Sequence, residues 1–235
     1  MVNTSKNKLS MRKLIMGLSG GMDSVTLLGI FLEQGYEVHC CNFYYGAKHN
    51  QYEKVAFDQV IEYYQAKHLP VVPHKIDLSA AFSDFKSNLL LTGDAIPEGH
   101  YEEESMRLTV VPGRNLIFTS IMAGLAESIE ADYVALGVHS GDHHIYPDCR
   151  DEFIKALNYA VYLGSDQKVK IIAPLISDTK TSILEKGFAL LTPIPYHLTR
   201  TCYKNQGVSC GKCGSCRERL EAFENIGKID PIKYE

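Results

Sequence analysis

The chain alternates short, nearly unbroken apolar runs with longer amphipathic ones, separated by turns marked by glycine and proline. Apolar runs at 12–18, 37–43, 71–76, 133–138 and 169–173 read as strands buried on both faces, as in a parallel sheet. Between them, residues 24–34, 50–68, 116–130, 151–163 and 178–191 place apolar side chains at helical spacing. Gly35 suits the end of the first helix. The tyrosines of the second, Tyr52, Tyr63 and Tyr64, read as core and rim packing. Pro73 interrupts the third strand and cannot donate to a ladder, which predicts a position near a sheet edge. Strands alternating with helices predict an α/β fold, a parallel twisted sheet flanked by helices. Residues 77–107 are the least periodic. A short helix is expected over 80–91, and the polar stretch 93–104, with Pro97 and Gly99, reads as a mobile segment over the site.

Composition narrows the class. The chain has 235 residues and 45% apolar content, enough for one large core with a small appendage. A net charge of −4 argues against a long nucleic-acid-binding face, so a nucleic-acid partner is not expected. No apolar run reaches the roughly 20 residues that span a bilayer, so no membrane partner is expected. Residues 1–11 are polar, lack a secretory core and read as a flexible extension. Seven cysteines without a signal peptide indicate a reducing, cytoplasmic location, where clustered cysteines more often hold metal than pair as disulfides.

The chemistry starts at Ser19-Gly20-Gly21-Met22-Asp23-Ser24, between the first strand and the first helix. Leu18 closes the strand. The glycines allow a sharp turn and close approach to a ligand. The unpaired N–H groups of the following helix carry partial positive charge, which suits phosphate. Asp23 offers a hard oxygen to Mg2+. No lysine follows, so this is not a Walker loop.

Further candidates lie at later strand ends and helix starts, where open α/β sheets bind ligands. Lys48 and His49 follow the second strand. Arg114 and Asn115 open a helix after Val111-Pro112-Gly113, and an arginine fork there would strengthen an anion site. His139 through Arg150 gathers His139, Asp142, His143, His144, Tyr146, Asp148, Cys149 and Arg150. The histidines lack a helical metal register, so a catalytic or binding loop is preferred to a metal site. Cys149 reads as a buried cysteine or, beside Arg150, as an activated one. Lys180 sits in the first turn of its helix, where a cation opposes the dipole, and this favours a phosphate contact. Finally, Cys202, Cys210, Cys213 and Cys216 form C-x7-C-x2-C-x2-C, a spacing suited to a closed, structural Zn2+ site.

Taken together, S-G-G-M-D-S (19–24), V-P-G-R-N (111–115), Y-P-D-C-R (146–150), T-C-Y (201–203) and C-G-K-C-G-S-C (210–216) make the chain resemble the 7-cyano-7-deazaguanine synthase family. That family is QueC-like and belongs to the PP-loop ATP pyrophosphatases. The resemblance implies an adenine-nucleotide α-hydrolase-like, Rossmann-like fold over 12–200, with a zinc-binding segment at 201–235 packed on it. It implies an ATP-dependent ligase that adenylates 7-carboxy-7-deazaguanine, takes ammonia, and dehydrates the amide to the nitrile. ATP, Mg2+ and Zn2+ are the implied cofactors, and a homodimer the implied assembly.

By position, Leu18, Ser19, Gly20, Gly21, Asp23 and Ser24 should hold ATP. Lys48, His49, Arg114, Asn115, Asp142, Tyr146, Asp148 and Arg150 should contact substrate, and Asp23, Lys180, Asp148 and Arg150 should serve catalysis. The chain has Ala47-Lys48-His49 where the family commonly reads Q-R-H, and His143-His144-Ile145 before Tyr146 where it commonly has an aromatic, serine and glycine. These departures keep open a variant that joins a deazaguanine to another amine, on a small molecule or a protein. A tRNA-modifying PP-loop enzyme is the other alternative.

Overall fold

The computed structural model describes residues 11–98 and 104–235. Five strands, β1 (Lys13–Gly17), β2 (Glu37–Tyr44), β3 (Val71–Asp77), β4 (Tyr133–Ala135) and β5 (Lys170–Ile172), form one sheet in the order β3-β2-β1-β4-β5. Every pairing is parallel. Parallel strands need crossovers, and helices supply them: α1 (Met22–Glu33), α2 (Asn50–Ala66), α3 (Arg114–Ile129) and α4 (Asp151–Gly164), followed after β5 by α5 (Lys180–Ala189) and α6 (Gly214–Asn225).

Successive strand residues point to opposite faces, and β1 shows it. Leu14 and Met16 join a core with side chains of α1, α2, α5 and α6. Ile15 joins the other core, with α3 and α4. The sheet is therefore covered on both sides, which explains the unbroken apolar strands. Helix α1 is buried almost all round. It ends where Gly35, at φ +80°, lets Tyr36 N–H reach back to Phe31 O at 3.1 Å. Pro73 sits on β3 at the sheet edge, where a missing donor costs least.

The expected helix over 80–91 does not form. Ser and Asn side chains there bond locally to backbone instead: Ser83 Oγ donates to Ala80 O at 3.0 Å, and Ser87 Oγ accepts from Leu89 N–H at 3.1 Å. Leu89 and Leu90 then anchor the segment in the core. The reading of 1–11 as a flexible extension lies, apart from Met11, outside the described residues. So do residues 99–103 of the expected mobile segment. The part up to Glu98 is docked: Glu98 bridges to Cys213 and pairs with Lys204.

The C-terminal tail is held by a charge inside the protein. Arg219 of α6 is fully buried and grips Asp230 through Nε (2.7 Å) and Nη2 (2.9 Å). Its remaining donors reach Thr199 Oγ1, Thr201 Oγ1 and Tyr196 O. A buried pair is strongly destabilising to break but nearly neutral to replace whole. Arg219→Met should therefore cost about 3–5 kcal/mol in urea unfolding, and adding Asp230→Leu should restore most of it. Equal losses in the single and double variants would refute this account.

Candidate active site

The strand order reverses direction between β1 and β4, and a cleft of about 250 Å³ opens at their carboxyl ends. Ser19, Gly21 and Asp23 of the Ser19–Ser24 loop line it, whereas Gly20 and Ser24 do not. Leu18 N–H donates to Cys41 O at 2.8 Å, and Asn42 Nδ2 to Leu18 O at 3.1 Å, so β2 fixes the loop's start. Gly20, at φ +86°, lies against α2: a Cβ there would sit 2.9 Å from Ala56 Cβ and 3.0 Å from Phe57 N. Only glycine fits. Gly21 caps α1, with no side chain bonded to the first turn's N–H groups. Ser24 Oγ donates to Gly21 O at 3.0 Å and lies 3.3 Å from Ser19 Oγ. The result is a rigid concavity at a helix N-terminus, suited to phosphate oxygens.

Beside it, charged groups are shared between distant segments. Lys180 is 7% exposed, and its Nζ lies 3.3 Å from Asp23 Oδ2 and 2.7 Å from Glu218 Oε2 on α6. Burial works against the Lys180 charge, but the two carboxylates outweigh it and raise its pKa. His139 Nδ1 accepts from Gly141 N–H at 3.1 Å, which places the ring proton on Nε2. Nε2 faces Asp23 Oδ2 (3.8 Å) and Asp142 Oδ2 (3.7 Å). Asp23 Oδ1 is buried and has no hydrogen-bond partner. A hard cation such as Mg2+ fits that orphaned oxygen.

The far wall carries Arg114, Asn115, Phe118, Tyr45, His49 and Cys149. The Arg114 guanidinium lies 5.6 Å over the Tyr146 ring. Asn115 Nδ2 donates to Cys149 Sγ at 3.3 Å. Burial, reinforced by Asp142 and Asp148, pushes the Cys149 thiol well above its ordinary range. That environment disfavours the thiolate.

Not every expected residue reaches the cleft. Asp148 accepts the Asn115 backbone N–H at 3.0 Å and so braces the start of α3. Tyr146 OH pairs with Thr109 Oγ1 at 2.9 Å, and Arg150 Nε donates to His143 O at 3.0 Å. Lys48 Nζ bonds to the carbonyls of Asn88, Gly93 and Asp94, stapling the irregular segment. None of these four lines the cavity. Asn42, Glu53 and Arg200, which no sequence motif singles out, also line it, as do Thr201 and Ser215 beside the cysteines. Glu53 stands four residues after His49 on α2, with carboxylate and imidazole 3.4 Å apart, an i,i+4 signal that was available. No spacing announces Glu218 or Arg200.

Cys202, Cys210, Cys213 and Cys216 are buried, their sulfurs all within 4.8 Å of one another. Cys210 and Cys216 Sγ are 4.0 Å apart, close to the roughly 3.8 Å edge of a four-thiolate zinc tetrahedron with Zn–S near 2.3 Å. Cys210 Sγ accepts backbone N–H groups of Lys212 (3.4 Å) and Cys213 (3.3 Å). Hydrogen bonds from Cys213 and Cys216 lower the Cys202 pKa, and the same sharing raises those of Cys213 and Cys216. Among the described residues no other group of three or more His, Cys, Asp or Glu converges this way.

Two outcomes follow from these environments. Iodoacetamide at pH 8 should leave Cys149 unmodified in the folded protein, because a raised pKa keeps the thiol protonated there, and should alkylate it after denaturation. Peptide mass spectrometry reads both, and rapid native labelling would contradict the burial argument. Cys213→Ser should lower bound metal, measured by plasma mass spectrometry, and lower the thermal midpoint. Unchanged stoichiometry would exclude a four-sulfur site.

Comparison with known proteins agrees with this geometry. The family model described as "Queuosine biosynthesis protein QueC" matches residues 13–227. A 7-cyano-7-deazaguanine synthase of Marinomonas sp. is 43% identical over 224 residues, 95% of this chain and 98% of that protein. Another, of Hahella chejuensis, is 42% identical over 235 residues, 100% of this chain and 98% of its own. A third, of Alteromonas mediterranea, is 44% identical over 92% of this chain and 96% of its own. With the family model matching residues 13–227 and these relatives matching nearly the whole chain, the chain belongs to the QueC family of queuosine biosynthesis proteins.

Proposed function

We propose that the protein is an ATP-dependent ligase that makes 7-cyano-7-deazaguanine from 7-carboxy-7-deazaguanine and ammonia. The observation that carries the reading is the phosphate seat at Ser19–Ser24, opening into the same cleft as Arg114 and Asn115. A carboxylate is a poor electrophile, and attack by its oxygen on the α-phosphorus of ATP gives an acyl adenylate and pyrophosphate. Ammonia then adds to the acyl carbon, AMP leaves, and the lost proton passes to solvent or a neighbouring base. The amide oxygen then attacks the α-phosphorus of a second ATP, and a second pyrophosphate leaves. Loss of that oxygen with AMP, and of the two amide protons, leaves the nitrile.

The chain's own residues divide this work. Ser19, the Gly20–Gly21 backbone and Ser24 bind the β,γ-phosphates. Asp23, with its orphaned oxygen, would hold Mg2+, and His139 and Lys180 orient it. Arg114 faces the acid and Asn115 orients it. When bound, Mg2+ supplies charge neutralisation at the leaving pyrophosphate. The four cysteines would hold Zn2+ as a structural ion, since a closed tetrahedron leaves no position for water. No helix among the described residues is long and apolar enough to cross a membrane.

The sequence departures from the family do not favour a different amine. Lys48 lies outside the cleft as a loop staple, and His143, His144 and Ile145 do not line it.

Incubation with Mg-ATP, ammonium chloride and 7-carboxy-7-deazaguanine should yield AMP, pyrophosphate, the amide and then the nitrile by mass spectrometry. Adenylation without nitrile would point instead to a conjugating variant, and absence of acid-dependent pyrophosphate release would refute the ligase reading.

A further inference from the structure

Arg200 is a buried cation without a counter-ion. It is 8% exposed and lines the cleft beside Ser19 and Gly21. Its guanidinium is solvated by carbonyls alone: Nη1 donates to Gly207 O at 2.9 Å, and Nη2 to Gln206 O at 2.6 Å and Lys204 O at 3.1 Å. One face stacks on Tyr52, with Cζ 4.6 Å from the ring centre. Nε is buried and has no hydrogen-bond partner. Among the described residues no carboxylate lies within ion-pair distance of it, whereas Lys180 in the same cleft is paired with two.

Carbonyl dipoles lower the cost of burying this charge but do not neutralise it, and a buried charge is ordinarily paired or bound to a ligand. The missing anion has an obvious place. The Arg200 backbone is part of the phosphate loop's wall: its N–H donates to Gly20 O at 2.8 Å, and its carbonyl lies 3.4 Å from where a Gly21 Cβ would be. The Lys180 cluster, one ammonium between two carboxylates, has no positive charge to spare. Arg114 stands on the opposite wall, over Tyr146.

We infer that Arg200 is the cationic ligand of the pyrophosphate end of the nucleotide, presented by the strap that leads into the cysteine cluster. The inference rests on the ligase reading above and assigns one more residue to it. Binding there gives the guanidinium its counter-ion and ties the 204–207 turn, which the same side chain clamps, to occupancy of the phosphate seat.

The test uses the full-length, metal-loaded protein and magnesium pyrophosphate as probe. Calorimetry should show Arg200→Met weakening magnesium pyrophosphate binding at least tenfold and Arg200→Lys less, with 7-carboxy-7-deazaguanine binding within twofold of wild type. Metal content and thermal midpoint report whether the clamp on 204–207 survives. Should Arg200→Met not fold, wild-type protein labelled with [15N]arginine, its signals assigned with Arg200→Lys, supplies a second readout. The Arg200 Nε–H resonance should move when magnesium pyrophosphate is added. Wild-type affinity in Arg200→Met, or an unmoved resonance while the protein binds pyrophosphate, overturns the inference and leaves the ligase reading standing. If the wild type binds neither pyrophosphate nor ATP, both fall.

Discussion

One ammonium group joins the three parts of this protein that chemistry requires to be together. Lys180 comes from the first turn of α5, Asp23 from the phosphate loop, and Glu218 from α6. The lysine's position opposes the helix dipole, and its burial opposes its charge. It holds because two carboxylates meet it. Remove the lysine and two partly buried carboxylates lose their shared counter-ion, a loss of several kcal/mol. The same contact fixes one oxygen of Asp23 and leaves the other bare, as a cation-binding carboxylate needs.

That contact depends in turn on the cysteine quartet. Helix α6 begins at Gly214, between Cys213 and Cys216, so the sulfur cluster sets where the helix starts. Two turns at most separate the cluster from Glu218 and Arg219. Glu218 points to Lys180, while Arg219 points to Asp230 and draws in the tail. A metal held by the four sulfurs would contribute its binding free energy to folding, and the helix it would anchor carries Glu218 to the cleft.

The cleft's two walls differ in how they are built. The phosphate side is backbone and glycine, made rigid by β2 and by the close approach of α2 to Gly20. The opposite side is side chains. Asp148, Tyr146 and Arg150 belong to a conspicuous run of polar residues, yet they support Asn115, Thr109 and the turn at His143 from behind.

How much of this was legible in the sequence follows from the range of each interaction. Local signals were reliable: the parallel strands, the glycine loop, Gly35 at a helix end, Pro73 at an edge and the clustered cysteines each follow from a few adjacent residues. The helix expected over 80–91 failed because local serine bonds and two anchored leucines outweighed its propensity. Lys48, Tyr146, Asp148 and Arg150 were found at the right strand ends but not in the cavity, because side-chain direction depends on what packs behind. Glu218, Arg200 and the Asp230 partner of Arg219 carry no spacing relative to Asp23, Lys180 or the tail. The sequence by itself determined the fold class, the glycine loop at a helix start and the clustering of the four cysteines, all built from near neighbours in the chain. Only the tertiary structure decided which charges meet, because residues far apart in sequence come within 4 Å solely through the packing of α5 and α6 on the sheet.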